Sequence, residues 1–282
     1  MDVAALQQFA TELRKTLSRK TGKTLSRKTI INVLGAVFAI LDYAKRRGTS
    51  VASVPFADIQ LGTATNERLA PSFTLSETVQ IIAASKEPYK TLFALDWVTG
   101  LRAGEILALT VADLDFARKT IRVNKSADDS TREIHQPKTK NSTAFLPMAS
   151  ALEGLLKTYL AHHWRENPGG ILFANRKGTR PMLRDNVVKY GLKPVLRKLG
   201  MPTKGVGLHA FRHGLATELA DKAVPIPVLQ AQMRHADVRT TLKVYAHAIP
   251  QTQRDVMKKV GQSISALVPI GTESKGQAVS AQ

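Results

Sequence analysis

The chain has 282 residues, 43% of them hydrophobic, and its 41 lysine and arginine residues against 22 aspartate and glutamate residues give a formal net charge of +19. This apolar fraction excludes disorder throughout, and the absence of cysteine excludes disulfides, thiolate catalysis and cysteine-bound zinc. The excess positive charge favours a polyanionic partner, and nucleic acid is the commonest one.

The first two predicted helices form a small module. Leu6 and Leu13 lie on one face of a helix predicted over 3–17. A second helix follows the capping residue Ser26 and ends near Gly48, after three consecutive basic residues that suit a helix C-terminus.

The stretch 48–72 is rich in Gly, Pro, Ser and Thr, which is typical of a linker. A chain of this length is expected to form about two domains. The predicted domains are a helical module over 1–62, a linker over 63–72, a larger domain with a C-terminal tail over 73–268, and a disordered end over 269–282.

The larger domain begins with a capping box, Thr74 followed by Glu77. Short β-branched segments over 113–148 predict three antiparallel strands. Helical patterns then return over 149–163, 184–199, 208–222, 226–234 and 239–248. The predicted fold class is mainly α with a small three-stranded antiparallel sheet.

No membrane partner is expected. The longest apolar run, Val33 to Leu41, has nine residues, whereas a spanning helix needs about 20. The N-terminus lacks a signal-peptide pattern, and the basic residues are spread along the chain instead of lying on one amphipathic helix. The chain is predicted to be cytoplasmic.

The helix containing LHAFRHGLATELA places Arg212 at the edge of an apolar face, with His209 one turn earlier. An arginine in that position needs an anionic partner, which is either an internal salt bridge or a ligand. A zinc site at His209 and His213 is disfavoured because Arg212 lies between them and no glutamate follows the first histidine.

Three further positions are ambiguous when taken singly. Arg102 at a predicted helix start is either a phosphate ligand or the partner of Glu105 in a surface pair. Lys138, at a predicted strand turn, is either solvated or a proton donor. Tyr245 is either a core residue or a nucleophile.

Taken together, six positions resemble the tyrosine recombinase (phage integrase) family in order, spacing and local sequence. They are Arg102 in TGLRAGEILAL, Lys138 in PKTK, His209 and Arg212 in LHAFRH, His235 in MRHADVRTT and Tyr245 in KVYAH. The resemblance extends over about residues 10–265.

The resemblance implies a two-domain, C-shaped DNA clamp in which 1–62 is the core-binding domain and 73–268 the catalytic domain. It implies site-specific DNA strand exchange through a 3′-phosphotyrosine, for integration or excision of a phage or mobile element, without a metal or cofactor. The implied roles are phosphate binding by Arg102 and Arg212, hydrogen bonding to phosphate by His209 and His235, leaving-group protonation by Lys138, nucleophilic attack by Tyr245 and bracing by Glu105.

The expected partners are double-stranded DNA, further copies of the chain in a synaptic tetramer, and accessory DNA-bending or directionality factors, at the nucleoid. The tail after Pro250 is expected to dock on a neighbouring copy or in cis. The expected DNA contacts are Lys28, Lys45, Arg46, Arg47, Lys140 and Arg234.

The chain departs from the family pattern at three places. Met233 and Arg234 stand where Leu-Gly is usual, so Arg234 either adds a phosphate contact or crowds the site. Ala144 stands where many members of the family carry a basic residue. The alignment of the predicted hairpin is therefore open by a few positions, and Lys140 is an alternative to Lys138 as the proton donor. The N-terminal module is shorter than usual, as in a naturally short member, a fragment or a decayed element. The alternatives are type IB topoisomerase-like relaxation and a catalytically impaired DNA-binding relative.

Overall fold

The structure is a computed structural model that divides into two compact units, Met1–Leu69 and Ala70–Gln282. The division falls inside the predicted linker, while the roles assigned to the two domains stay predictions. The described residues are 3–18, 22, 24–49, 58–61, 71–136, 143–234, 238–239 and 241–242.

The described residues of the first unit form two helices, α1 (Val3–Lys15) and α2 (Arg27–Arg46). Helix α2 begins where predicted, because the Ser26 hydroxyl accepts a hydrogen bond from the backbone N–H of Thr29 at 3.1 Å. The apolar faces of the helices meet in a small core whose buried residues are Leu6, Ala10, Ile30, Leu34 and Ile59.

The second unit is mainly helical. Its helices are α3 (Leu75–Ala84), α4 (Tyr89–Thr99), α5 (Ala103–Leu107), α6 (Ser150–His162), α7 (Arg184–Asn186), α8 (Lys193–Lys198), α9 (His209–Asp221) and α10 (Ile226–Met233). The capping box is confirmed, since Glu77 N–H donates to Thr74 Oγ1 at 3.2 Å and Thr74 N–H donates to Glu77 Oε2 at 2.8 Å. Most of the predicted helix over 239–248 lies outside the described residues.

Helix α9 packs closely on α4 at the centre of the core. The rings of Phe93 and Phe211 are stacked with centroids 5.2 Å apart. Gly214 allows this approach, because a Cβ there would lie 2.0 Å from the Phe73 carbonyl oxygen and 2.7 Å from the Trp97 ring. The position of the arginine on α9 is therefore set by rigid packing.

The sheet has three antiparallel strands in the order β1 (Leu114–Asp115), β2 (Thr120–Val123) and β5 (Ala144–Pro147), which confirms the predicted fold class. Ile121 and Leu146 face each other and are buried in the core. The predicted middle strand does not join this sheet, since both edges of β2 are already paired. It instead contributes β4 (Ile134–His135) to a separate ribbon with β3 (Ser126–Ala127).

The continuous helix predicted over 184–199 is interrupted. A π-helical turn, Val187–Leu192, separates α7 from α8. Pro194 has no backbone N–H to continue an α-helical ladder, which accounts for a change of hydrogen-bond pattern before it. Gly191 in this turn lies against Tyr89, where a Cβ would be 2.4 Å from the ring.

Within the described part of the chain, no helix has both the length and the apolar character needed to cross a membrane.

Candidate active site

Arg212 is the buried centre of the site. Its side chain lies on the first turn of α9, and the residue is 7% exposed. One guanidinium nitrogen, Nη1, donates to the Gly100 carbonyl and the other, Nη2, donates to the Met233 carbonyl. Neutral backbone oxygens therefore take the place of the anionic partner that its burial led us to expect.

Both carbonyls are available because they lie at helix ends. Gly100 terminates α4 in the left-handed conformation, with φ 63°, and Met233 is the last residue of α10. Carbonyls in the last turn of a helix have no intrahelical partner and lie at the negative end of its dipole. They therefore hold a cation in a fixed orientation without neutralising its charge.

Arg212 stays protonated at neutral pH. Burial, and then the nearby positive charge of Arg102, lower the pKa of Arg212 to about 10. Asp96 on α4 is 1% exposed, and neither carboxylate oxygen has a hydrogen-bond partner. Desolvation raises the pKa of Asp96 well above its ordinary value, while the charge of Arg212 opposes that rise.

Arg102 is the exposed member of the arginine pair. It precedes α5, and its side chain is 46% exposed. Its Nη2 donates to the Arg234 carbonyl at 3.1 Å, so Arg102 and Arg212 are bound by the carbonyls of two consecutive residues. Helix α5 has only five residues, which leaves little helix dipole to assist in anion binding.

Glu105 joins Arg102 to Arg234. Its Oε2 accepts the Arg102 backbone N–H at 2.9 Å, and its Oε1 lies 3.1 Å from Arg102 Nη1 and 3.0 Å from Arg234 Nη1. The pair of Arg102 with Glu105 that the sequence suggested is therefore present, although the Glu105 side chain is only 10% exposed. Two arginines contact this carboxylate and the charge of a third, Arg212, is also influenced by it, so the site has an excess of positive charge.

Arg234, the residue that departs from the family pattern, caps α10 in the left-handed conformation with φ 50°. Its side chain is 16% exposed and turns toward Glu105. The structure therefore places Arg234 beside the site as a second partner of Glu105, and its predicted phosphate contact stays a prediction.

His209 is the first residue of α9 and is exposed. Partial burial of the ring, and then the charges of Arg184 and Arg212, lower its pKa. The ring of His213 lies 6.4 Å away in an edge-on arrangement, and burial followed by the charge of His209 lowers its pKa as well. A neutral imidazole beside the arginines is able to accept a proton at neutral pH.

Several predicted site residues lie outside the described residues: Lys138, Lys140, His235 and Tyr245. The predicted DNA contacts of the first unit lie at the two ends of α2, Lys28 near its start and Lys45, Arg46 and Arg47 at its end. Arg46 pairs with Asp42 at 3.2 Å, and the Arg47 guanidinium stacks 5.5 Å from the Tyr43 ring centroid.

The carbonyls of Gly100 and Met233 were not predicted as parts of the site. A backbone oxygen leaves no side-chain signature, and the only local signal is the glycine that ends α4. Among the residues that the structure describes, no group of three or more His, Asp or Glu side chains is placed to hold a metal ion.

Comparison with known proteins matches residues 71–252 to the model of the phage integrase family. The XerC-like tyrosine recombinase of Caldanaerobacter subterraneus is 29% identical over 191 residues, 60% of this chain and 48% of that protein. The chain thus spans about half the length of that curated relative. The ICEBs1 integrase of Bacillus subtilis is 27% identical over 89% of this chain and 69% of its own length.

Two solved structures have a similar fold. The Tn1549 transposon integrase, in complex with a circular intermediate DNA, superimposes with a TM-score of 0.73 at 23% identity, covering 92% of this chain and 85% of the other. The XerH recombinase bound to its palindromic difH substrate gives a TM-score of 0.64 at 18% identity, covering 91% and 72%. At these identities the likeness concerns the fold alone.

Proposed function

Because the chain belongs to the phage integrase family, we propose that it is a site-specific recombinase that cuts and rejoins DNA through a covalent 3′-phosphotyrosine. The observation that carries the proposal is the arginine pair. Arg102 and Arg212 are bound by the adjacent carbonyls of residues 233 and 234, and Arg102 keeps a half-exposed face. Two oriented guanidinium groups fit the two non-bridging oxygens of a phosphodiester.

The chemistry assigned to the site conserves the phosphodiester bond. The Tyr245 oxygen attacks phosphorus, a new P–O bond forms to the tyrosine, and the bond from phosphorus to the 5′ oxygen breaks. His209 takes the tyrosine proton, Lys138 donates a proton to the leaving 5′ oxygen, and a 5′-hydroxyl of another strand reverses the steps to rejoin DNA. Arg102 and Arg212 stabilise the charge that develops on the phosphate.

The state of His209 suits its role. Because the pKa of His209 is lowered, its ring is neutral at neutral pH and has a free lone pair that can accept the tyrosine proton during the attack. His235 follows Arg234 directly in the sequence and is assigned a hydrogen bond to the same phosphate. Glu105 acts through the arginines, since its carboxylate accepts hydrogen bonds from Arg102 and pairs with Arg234.

The proposed substrate is double-stranded DNA, which accounts for a net charge of +19. Lys28, Lys45, Arg46 and Arg47 are assigned to phosphate contacts by the first unit. By analogy with the ICEBs1 integrase, the proposed biological role is integration or excision of a mobile element. Several copies of the chain and accessory DNA-bending or directionality factors are further proposed to take part.

The test is the capture of a covalent adduct. The protein is incubated with a library of nicked duplexes of randomised sequence, from which the fragment beyond the cut diffuses away and traps the intermediate. We expect adducts that share a sequence motif, and none with the Tyr245→Phe variant. Adducts that persist in Tyr245→Phe, or no adduct with any duplex, contradict the proposal. Relaxation of supercoiled plasmids without that motif would favour a type IB topoisomerase instead.

A further inference from the structure

The β3–β4 ribbon lies directly on the helix that follows Arg102. A Cβ at Gly104 of α5 would lie 2.7 Å from Ser126 Oγ and 2.8 Å from the Ala127 carbonyl oxygen. Only glycine permits this approach without a shift of the ribbon backbone. The base of the ribbon is thus fixed on α5.

The tip of the ribbon is also ordered by its own hydrogen bonds. Asp128 Oδ1 accepts the backbone N–H groups of Ser130 at 2.7 Å and Thr131 at 2.9 Å. These bonds, with the Ser130 hydroxyl first, lower the pKa of Asp128 to about 2, so the turn keeps its charge-assisted bonds over the whole physiological range. Asp129, the next residue, is consequently presented by a preorganised turn.

Two arginines from one neighbouring segment hold this tip. Arg184 Nη1 lies 2.6 Å from Asp129 Oδ2, and Arg180 Nη1 donates to the Thr131 carbonyl at 3.4 Å. The Arg184 and Asp129 side chains are 38% and 49% exposed, and an ion pair this exposed contributes little to stability. Global stability is therefore a weak explanation for the pair.

Both charges of the pair act on His209. The pKa of His209 is lowered by burial first, then by Arg184 and Arg212, and Asp129 opposes the effect of Arg184. Arg102 also lowers it, and His213 is the titratable neighbour on the same helix. The ion pair thus lies within electrostatic range of the residue assigned as proton acceptor.

We propose that Asp129 and Arg184 are a positioning pair for the recombination reaction, which fixes the β3–β4 ribbon between α5 and α7. The proposal rests on the proposed function. Arg184 acts through Asp129, not as a ligand of the scissile phosphate. In the sequence, Lys138, the assigned acid, follows the last residue of β4 by three positions.

The experiment is a double-mutant cycle on the full chain, with Asp129→Asn, Arg184→Gln, the double variant and the charge swap Asp129→Arg with Arg184→Asp. The rate of covalent adduct formation is measured at saturating DNA, and the Kd for DNA is measured separately. Lys157→Gln is the matched control, because it breaks the Lys157–Glu153 ion pair, 2.7 Å long, on α6.

Each single variant is expected to lower the adduct rate roughly tenfold with little change in Kd, and the double variant to be no slower than either single, since the two residues act as one unit. The swap should recover most of the rate. Arg184→Gln should also move the acidic limb of the pH–rate profile of adduct formation to higher pH, which loss of folding alone would not do. Additive effects, or a loss of DNA affinity confined to Arg184→Gln, would overturn the proposal in favour of a direct phosphate contact.

Hydrogen exchange on the free protein separates this inference from the proposed function. Amides of residues 126–135 should exchange faster in both single variants and regain protection in the swap, whether or not any DNA is cleaved. Unchanged exchange would overturn the positioning role even if wild-type protein forms the Tyr245 adduct. Absence of that adduct in wild-type protein counts against the proposed function, while altered exchange still supports the pair.

Discussion

Replacing Glu105 by glutamine should destabilise the second unit through its arginines. The substitution keeps the shape of the side chain but removes its negative charge. Its N–H₂ group then faces either the two guanidinium groups that now contact Oε1 or the Arg102 backbone N–H that now donates to Oε2. Arg102 and Arg234 lie 3.1 Å and 3.0 Å from Oε1. The arginines would then repel each other with no anion between them.

The size of this loss in stability depends on how exposed Arg102 and Arg234 are. The contact with Arg234, whose side chain is 16% exposed, is a largely buried ion pair, and leaving this cation without its anion costs about 2 kcal/mol. Arg102 is 46% exposed, so solvent screening reduces its contact to about 0.5 kcal/mol. We therefore expect Glu105→Gln to lower the free energy of unfolding by about 2–3 kcal/mol.

The assay is urea unfolding followed by fluorescence, with Glu153→Gln as the matched control. The Glu153 side chain is 14% exposed and also pairs with two cations, Lys119 at 3.4 Å and Lys157 at 2.7 Å, but both lysines are 57% exposed. We expect the control to lose distinctly less stability than Glu105→Gln. Equal losses of stability in the two variants would refute the reasoning, because the arginine contacts of Glu105 would then contribute no more than the contacts of Glu153 with two exposed lysines.

Four further predictions concern charge, backbone and pH. If about 6–10 phosphates are contacted, DNA affinity should fall by roughly 10³–10⁵ between ~50 and ~200 mM salt, and a flat response in a filter-binding assay would exclude a DNA role for the net charge. Asp96→Asn should raise the free energy of unfolding at pH 8 by on the order of 1 kcal/mol for each unit by which burial raises the pKa of Asp96. The pKa of Asp96 is higher in the folded than in the unfolded protein, so the stability gain of Asp96→Asn over wild type should shrink at pH 5. If Asp96→Asn is instead less stable than wild type at pH 8, the attraction between Asp96 and Arg212 outweighs the cost of burying the charge. Gly100→Ala should lower the free energy of unfolding by roughly 1–3 kcal/mol, because φ is 63° and a Cβ would lie 2.9 Å from the nearest side chain. The control Gly207→Ala should not lower it, since a Cβ there would meet nothing within 4 Å. Similar denaturation midpoints of the two variants would contradict this. The lowered pKa of His209 should keep the adduct-formation rate on its plateau to a lower pH than an ordinary histidine allows, and a rate that already falls near pH 6.5 would count against His209 as proton acceptor.

The sequence was sufficient for the local parts of the fold. Thr74 and Glu77 form their capping box, and Ser26 caps α2, because such contacts depend on residues three positions apart. The position of Arg212 at the edge of an apolar face correctly indicated a buried cation in need of partners. The position of Arg212 follows from helical periodicity, and the caps follow from the local spacing of their residues.

Features that depend on tertiary packing could not be read in the same way. The partners of Arg212 are carbonyls at the ends of α4 and α10, 112 and 21 residues away in the chain. The segment around β4 was assigned to the sheet from its composition, yet β5 occupies the strand edge that it would need. The π-helical turn before α8 also places Gly191 against the Tyr89 ring, a contact between residues about 100 positions apart that no local pattern predicts.

Arg234 departs from the family pattern in sequence, and its contacts in the structure explain how it is accommodated. From the sequence it was either a phosphate contact or an obstruction. In the structure its carbonyl binds Arg102 and its side chain pairs with Glu105, although its φ of 50° would favour glycine. The left-handed conformation of this cap sets the carbonyl direction, and no side-chain pattern reveals it.

The most direct test of the central claim is to identify the residue that becomes attached to DNA. The trapped adduct is digested with nuclease and trypsin, and the modified peptide is sequenced by mass spectrometry. We expect a 3′-phosphonucleotide on Tyr245 in wild-type protein, and loss of the modified peptide when Arg212 is replaced by glutamine in a variant that remains folded. Attachment at any other residue, or a folded Arg212→Gln variant that forms the adduct at the wild-type rate, would contradict it.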